Sequence, residues 1–206
     1  QPPELVEQAI QQEAQLICLP ELFSVGYFCR RGEENPDYLS LAEPLDGPTV
    51  GRMAEMARAR RVAMVVPFFE RAGPGLFFNS VAVLGPDGTP VGVYRKTHVP
   101  WSRTGWEKFY FRPGDRYPVF SVLGWPLGEL VCYDRVFPEV ARILAVKGAR
   151  LLVVPSGAPA WLADSWLFVL RTRAYENQVY LVAPNLCGRA GPGGHAFAGR
   201  SLVADP

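Results

Sequence analysis

Short, nearly continuous apolar runs alternate along the chain with segments whose apolar residues recur at helical spacing. Glu4 to Glu13, with Leu5, Ala9 and Ile10 on one side and Pro2-Pro3 ahead of it, predicts a helix leading into the strand Leu16-Ile-Cys-Leu19. Thr49 to Arg60 carries a stripe of Met53, Met56 and Ala57 and predicts a second helix, followed by the strand Val62-Ala-Met-Val-Val66. Phe77 to Leu84 and Val91 to Lys96 read as strands joined across Gly85-Pro-Asp-Gly88, a strong turn signal, and so as an antiparallel hairpin. Trp101 to Tyr117 is a long connection rich in aromatics, and loops of that kind cover sites in α/β domains. The next strand pair ends at Cys132. A helix from Pro138 to Lys147 is closed by Gly148, the strand Leu151-Leu-Val-Val154 follows, Asp164 is the expected N-cap of a helix through Asn177, and Val179 to Ala183 is a further strand. Helices between near-continuously apolar strands imply sheets covered on both faces, and the hairpin implies mixed strand directions, which makes the fold class α/β with mixed sheets.

At 206 residues the chain, 1–206, is read as a single domain. Its 21 Lys and Arg balance 20 Asp and Glu without blocks of either sign, so no charge argument favours nucleic acid or membrane, and a small-molecule ligand is expected. Cys18, Cys29, Cys132 and Cys187 show no CxxC pair and no zinc-ligand spacing, so neither metal nor cofactor is expected. With no apolar run long enough to span a bilayer, a cytoplasmic protein is the default reading. The start at Gln1-Pro-Pro-Glu4 and the stop at Asp205-Pro206, directly after a strand-like run, lead us to expect sequence missing at both ends.

The chemistry concentrates where predicted strands end. Cys132 follows an apolar run and precedes a helix, a setting that points a thiol at the edge of a sheet and favours thiolate through the helix N-terminus. Glu21 ends the first strand and Lys96 ends the hairpin. Taken singly, each has a plain alternative: a solvated loop carboxylate, an exposed strand-end charge, a small buried hydrophobe. Three strand-end placements together are harder to dismiss.

Pro20-Glu21-Leu22-Phe23 with Gly26-Tyr27, then Tyr94-Arg95-Lys96 with His98 and Pro100, then Cys132-Tyr-Asp-Arg-Val-Phe-Pro-Glu139 resemble, in order and spacing, the three signature blocks of the nitrilase superfamily of carbon-nitrogen hydrolases. The likeness runs over nearly the whole chain, including Phe78-Asn79-Ser80 and Arg173-Ala-Tyr-Glu-Asn-Gln178, while the family's first strand and its last strands and tail are absent. The resemblance implies a four-layer αββα sandwich of the nitrilase type that pairs into homodimers or higher even oligomers. It also implies a catalytic triad at Glu21, Lys96 and Cys132, with Glu107 as the further acidic residue that many members place beside the lysine. In those roles Cys132 attacks an amide or nitrile carbon, Glu21 moves the protons, and Lys96 with the backbone N–H of Tyr133 meets the developing oxyanion. A Glu107 paired instead with Lys108 on the surface is the other reading of that residue.

Trp106-Glu-Lys-Phe-Tyr-Phe-Arg-Pro-Gly-Asp115 and Cys132-Tyr-Asp-Arg135 resemble the branch acting on N-carbamoyl compounds, namely carbamoylputrescine amidases, β-ureidopropionases and N-carbamoyl amino acid hydrolases. Tyr133 and Arg135 are the substrate-binding candidates, Arg135 as a planar fork for a carboxylate or else a surface arginine at a helix end. Asp115 and Glu139 are left between structural hydrogen bonding and substrate contact. A Cys-His dyad through His98 competes with the triad, whereas His195, in the run Gly191-Pro-Gly-Gly-His195, falls in what reads as a mobile surface loop. A nitrilase or aliphatic amidase, a catalytically silent scaffold of the same fold, and a thiol redox sensor complete the alternatives.

Overall fold

Two β-sheets stack face to face, each with helices on its outer side, in the computed structural model, which describes residues 2–29, 34–102, 105–190 and 194–206. The first sheet has the order β1 (Leu16–Cys18), β2 (Ala63–Gly73), β3 (Leu76–Leu84), β4 (Pro90–Arg95), with β1 parallel to β2 and the rest antiparallel. The second sheet runs β11 (Leu202–Ala204), β8 (Tyr180–Ala183), β7 (Leu151–Val153), β6 (Trp125–Glu129), β5 (Val119–Val122), parallel across β6, β7 and β8. A short antiparallel pair, β9 (Cys187–Ala190) and β10 (His195–Ala198), stands apart.

The unbroken apolar runs follow from that stacking. In β2, Ala63 and Val65 face the other sheet while Met64, Val66 and Phe68 face the helices α1 (Pro2–Gln11) and α2 (Pro48–Arg60), so neither parity of residue can be polar. On the opposite side Leu152, Val154, Leu181 and Ala183 pack beneath α4 (Pro138–Val146) and α5 (Ala163–Asn177). The four layers are therefore helix, sheet, sheet, helix, as the resemblance implied.

Some expectations shift. β2 continues to Gly73, past Pro67, because β1 pairs with it only as far as Val65, and at Pro67 the strand has one neighbour to satisfy. Asp164 is not an N-cap: Leu162 holds that position without a side-chain cap, and Asp164 lies exposed in the first turn, 3.1 Å from Arg200. His195 begins strand β10, not a loop, while Gly191 to Gly193 lie outside the described residues. The hairpin turn stands, with Gly88 at φ +77°, where a side chain would also meet the Ala54 carbonyl of α2.

Candidate active site

The C-terminal edge of the first sheet delivers two of the three candidate groups. Just beyond β1, Glu21 is fully buried; its Oε1 accepts from Lys96 Nζ (2.8 Å) and Asn79 Nδ2 (2.8 Å), and its Oε2 from the backbone N–H of Gly157 (2.9 Å). Lys96 directly follows β4, held in register by its own N–H on the Asn79 carbonyl at 2.9 Å. Its ammonium also reaches both oxygens of Glu107, at 2.7 and 3.0 Å. Glu107 opens the four-residue helix α3 (Glu107–Tyr110), and the Tyr27 hydroxyl donates to it at 2.8 Å. The acid thus pairs with Lys96 and not with Lys108.

Electrostatics binds the cluster. Burial works against the Lys96 ammonium, yet Glu107 and Glu21 outweigh it and hold the lysine charged well above the usual lysine range. Burial raises the Glu107 carboxyl, Lys96 opposes the rise and Glu21 adds to it. One cation is shared between two buried carboxyl groups, and three short hydrogen bonds fix its position.

Cys132 arrives from the second sheet, but not at a strand's end as expected. β6 stops at Glu129, and Cys132 is the first residue of a single 3-10 turn, Cys132–Val136, at φ +45°, a left-handed conformation that is strained for a residue with a side chain. The turn is held from several sides. The Cys132 N–H donates to the Pro155 carbonyl at 2.9 Å, and Arg173 of α5 donates to the carbonyls of Arg135 (2.9 Å) and Val136 (3.3 Å). Asp134 is buried and accepts from the Tyr94 hydroxyl (2.8 Å), the Thr97 hydroxyl (3.0 Å) and the N–H groups of His98 (2.8 Å) and Val131 (2.9 Å). Asp134 therefore ties the segment after Lys96 to the turn that carries Cys132.

The expected lowering of the thiol by a helix N-terminus is not found. Helix α4 starts only at Pro138, and burial pushes the Cys132 thiol up to about 12, reinforced by Glu21 and opposed by Arg135 and Lys96. The resting group is the thiol, so a base must act on it.

A cavity of about 130 Å³ opens onto the sulfur, lined among others by Tyr27, Glu107, Cys132, Tyr133, Arg135 and Trp161. A larger one of about 710 Å³ shares Pro100 and Tyr133 with it and is also bordered by His98, Lys108 and Arg112. Tyr133 stands at the rim, and Arg135 is 4% exposed, so it is not a surface arginine. His98 turns to Asp134, with Nδ1 3.0 Å from the carboxylate and its ring stacked on Phe137 at 3.8 Å, which leaves the dyad reading without a contact to carry it. Asp115 and Glu139 are exposed. Among the described residues no group of three or more His, Cys, Asp or Glu side chains is arranged to hold a metal ion, and no helix is long and apolar enough to cross a membrane.

Sequence alone does not mark Tyr27, Asn79 or Gly157 as site residues. Tyr27 and Asn79 lay within the segments that carried the resemblance; nothing in the sequence around Gly157 marks its N–H as a carboxylate ligand.

The family model for carbon-nitrogen hydrolase matches residues 3–206. The chain is 36% identical to an N-carbamoylputrescine amidase of Arabidopsis thaliana over 98% of its own length and 72% of the relative's. Among solved structures it is similar to a carbon-nitrogen hydrolase from Helicobacter pylori G27, with 33% identity and a TM-score of 0.91 over 98% of this chain and 74% of that one. It is also similar to a mutant amidase from Nesterenkonia sp. AN1 described as showing Michael addition of acrylamide at its active-site cysteine, with 30% identity and a TM-score of 0.83 over 97% and 75% of the two chains.

Proposed function

The chain belongs to the carbon-nitrogen hydrolase family and is an amidohydrolase of amide or N-carbamoyl substrates, and from that premise we propose that Cys132 is the nucleophile, Glu21 the proton carrier, Lys96 the oxyanion partner and Glu107 the group that fixes Lys96. The observation that carries the reading is the fully buried Glu21–Lys96–Glu107 cluster, bonded at 2.7–3.0 Å beside a buried thiol in a pocket. Glu21 takes the Sγ proton as the sulfur bonds to the carbonyl carbon. The carbonyl electron pair moves to oxygen, where Lys96 and the Tyr133 N–H meet it. The tetrahedral intermediate collapses by expelling the amine or ammonia, which receives the proton from Glu21, and leaves a thioester. Water, deprotonated by Glu21, then attacks the acyl carbon and releases the acid and the thiol.

Within the family we place the substrate among N-carbamoyl compounds, where the acyl group on Cys132 is a carbamoyl and one turnover yields ammonia, carbon dioxide and a free amine. The likeness to an N-carbamoylputrescine amidase supports this. The inner cavity suits a head group of that size, and the outer cavity that shares Pro100 and Tyr133 suits the remainder of the molecule. Tyr133 and Arg135, both lining the inner cavity, are the substrate-binding residues in this reading. A buried reactive thiol suits the reducing cytoplasm. For assembly, the groove of α5 bordered by Leu167, Phe168, Arg171 and Tyr175 suits a two-fold contact between copies.

The test is a screen of N-carbamoyl amines, N-carbamoyl acids, simple amides and nitriles for ammonia release, with intact mass measured during turnover. A carbamoyl adduct on Cys132 with N-carbamoyl substrates is the expected result. Turnover confined to nitriles would discard the carbamoyl assignment, and turnover by Cys132→Ala would discard the nucleophile.

A further inference from the structure

Lys96, the cation assigned to the oxyanion, donates side-chain hydrogen bonds to Glu21 at 2.8 Å and to Glu107 at 2.7 and 3.0 Å. The sulfur has a different cation beside it. Arg135 Nη1 lies 3.5 Å from Cys132 Sγ and donates to the Cys132 carbonyl oxygen at 2.6 Å. The guanidinium is fixed there: it is buried, its plane carbon sits 4.9 Å over the Trp166 ring, and its backbone carbonyl is held by Arg173 at 2.9 Å. The residue it grips is in the left-handed conformation, with φ at +45°.

We propose that Arg135 is a catalytic residue that acts on the nucleophile itself: one guanidinium nitrogen clamps the strained Cys132 carbonyl and lends its charge to the thiolate formed when Glu21 removes the proton. The role rests on Cys132 being the nucleophile. No proton or electron passes through Arg135, whose charge is constant throughout; the thiol proton goes to a Glu21 oxygen and the sulfur electron pair goes to the carbonyl carbon. The need for such a cation follows from the site. Proton transfer to Glu21 moves the negative charge onto sulfur in a water-poor pocket that also holds the Glu107 carboxyl, and the thiol is raised by burial and by Glu21 while Arg135 opposes the rise. Substrate contact is compatible with this, because only Nη1 of the guanidinium is engaged in hydrogen bonds among the described residues.

Alkylation of Cys132 needs no substrate and reads the role directly. The wild-type chain and the variants Arg135→Gln and Arg135→Lys are treated with iodoacetamide from about pH 6 to 10, and modification is followed on the Cys132 peptide by mass spectrometry, which separates it from exposed Cys187. An opposite charge within a few ångströms moves a pKa by about one unit or more, so Arg135→Gln should shift the profile to higher pH and slow alkylation about 10-fold at fixed pH below the midpoint. Arg135→Lys should recover most of the rate. If Arg135→Gln does not fold, Arg135→Met, which keeps the packing over Trp166, replaces it. Superposable profiles for wild type and the uncharged variant would overturn the proposal, as would a lysine variant as slow as the uncharged one. Turnover by Cys132→Ala would instead remove the nucleophile assignment, a failure told apart by the substrate screen.

Discussion

Replacing Glu129 by leucine should make the protein more stable, and increasingly so as the pH rises. Glu129 ends β6, is fully buried, and neither carboxyl oxygen has a hydrogen-bond partner among the described residues. It lies two residues after Leu127 on the same side of the strand, in the space between the sheets, and close enough to Cys18 to help burial raise that thiol. Burial holds the Glu129 carboxyl well above the usual glutamate range. A neutral polar group buried without a partner costs about 1–3 kcal/mol, and leucine of similar size removes that cost.

The sign of the pH dependence follows from the raised value. The folded state binds the Glu129 proton more tightly than the unfolded chain, so its relative stability is fully present below the unfolded pKa of about 4.3 and is lost as pH rises toward the folded pKa, by about 1.4 kcal/mol per unit. Glu129→Leu lacks this slope. Near pH 5 the variant should gain roughly 2 kcal/mol, about 4–8 °C in Tm for a chain of this length, and the gain should widen toward pH 7.5. The other raised groups, Glu107 among them, are common to both proteins and largely cancel in the difference. Urea unfolding of both proteins at several pH values measures it. A leucine variant less stable than wild type, or a gain constant with pH, would refute the reasoning.

Cys132→Ala should abolish turnover and the acyl adduct while retaining the fold, as read by intact mass and circular dichroism. Lys96→Ala should lose about 10²–10³-fold or more in kcat, the scale for one oxyanion donor, whereas His98→Ala should be mild; equal losses in the two variants would restore the Cys-His dyad. Asp134→Asn replaces an acceptor-only carboxylate by an amide facing four donors, so activity should fall together with about 2 kcal/mol or more of stability, seen in parallel kinetic and denaturation measurements. Phe168, 72% exposed on α5, should be covered in the assembly, and Phe168→Glu should shift light scattering from dimer toward monomer; a monomeric wild type at micromolar concentration would end that reading.

What was legible beforehand follows from how far each cause extends along the chain. Burial of a strand on both faces writes itself into consecutive residues, so Ala63 to Val66 and Leu151 to Val153 imply sheets covered on both sides, whereas the stacking of two such sheets is implied only by the family resemblance. Glu21, Lys96 and Cys132 were legible because the motifs around them are contiguous. The rest depends on partners distant in sequence. Gly157 binds Glu21 across 136 positions and Tyr27 binds Glu107 across 80, and no local pattern encodes either meeting. The placement of Cys132 differs from the sequence expectation for a related reason: an apolar run of the form Leu-Val-Cys looks the same whether the strand ends on the thiol or three residues earlier. The contacts that hold the turn, with the Pro155 carbonyl, the Asp134 carboxylate and the Arg135 and Arg173 guanidinium groups, decide between them. That same turn brings Arg135 back onto the carbonyl three residues before it, so the residue read as a fork for a carboxylate also reaches the nucleophile while still lining the cavity. Its direction is set by the left-handed φ of Cys132, a backbone property that the side chains of Cys-Tyr-Asp-Arg do not reveal.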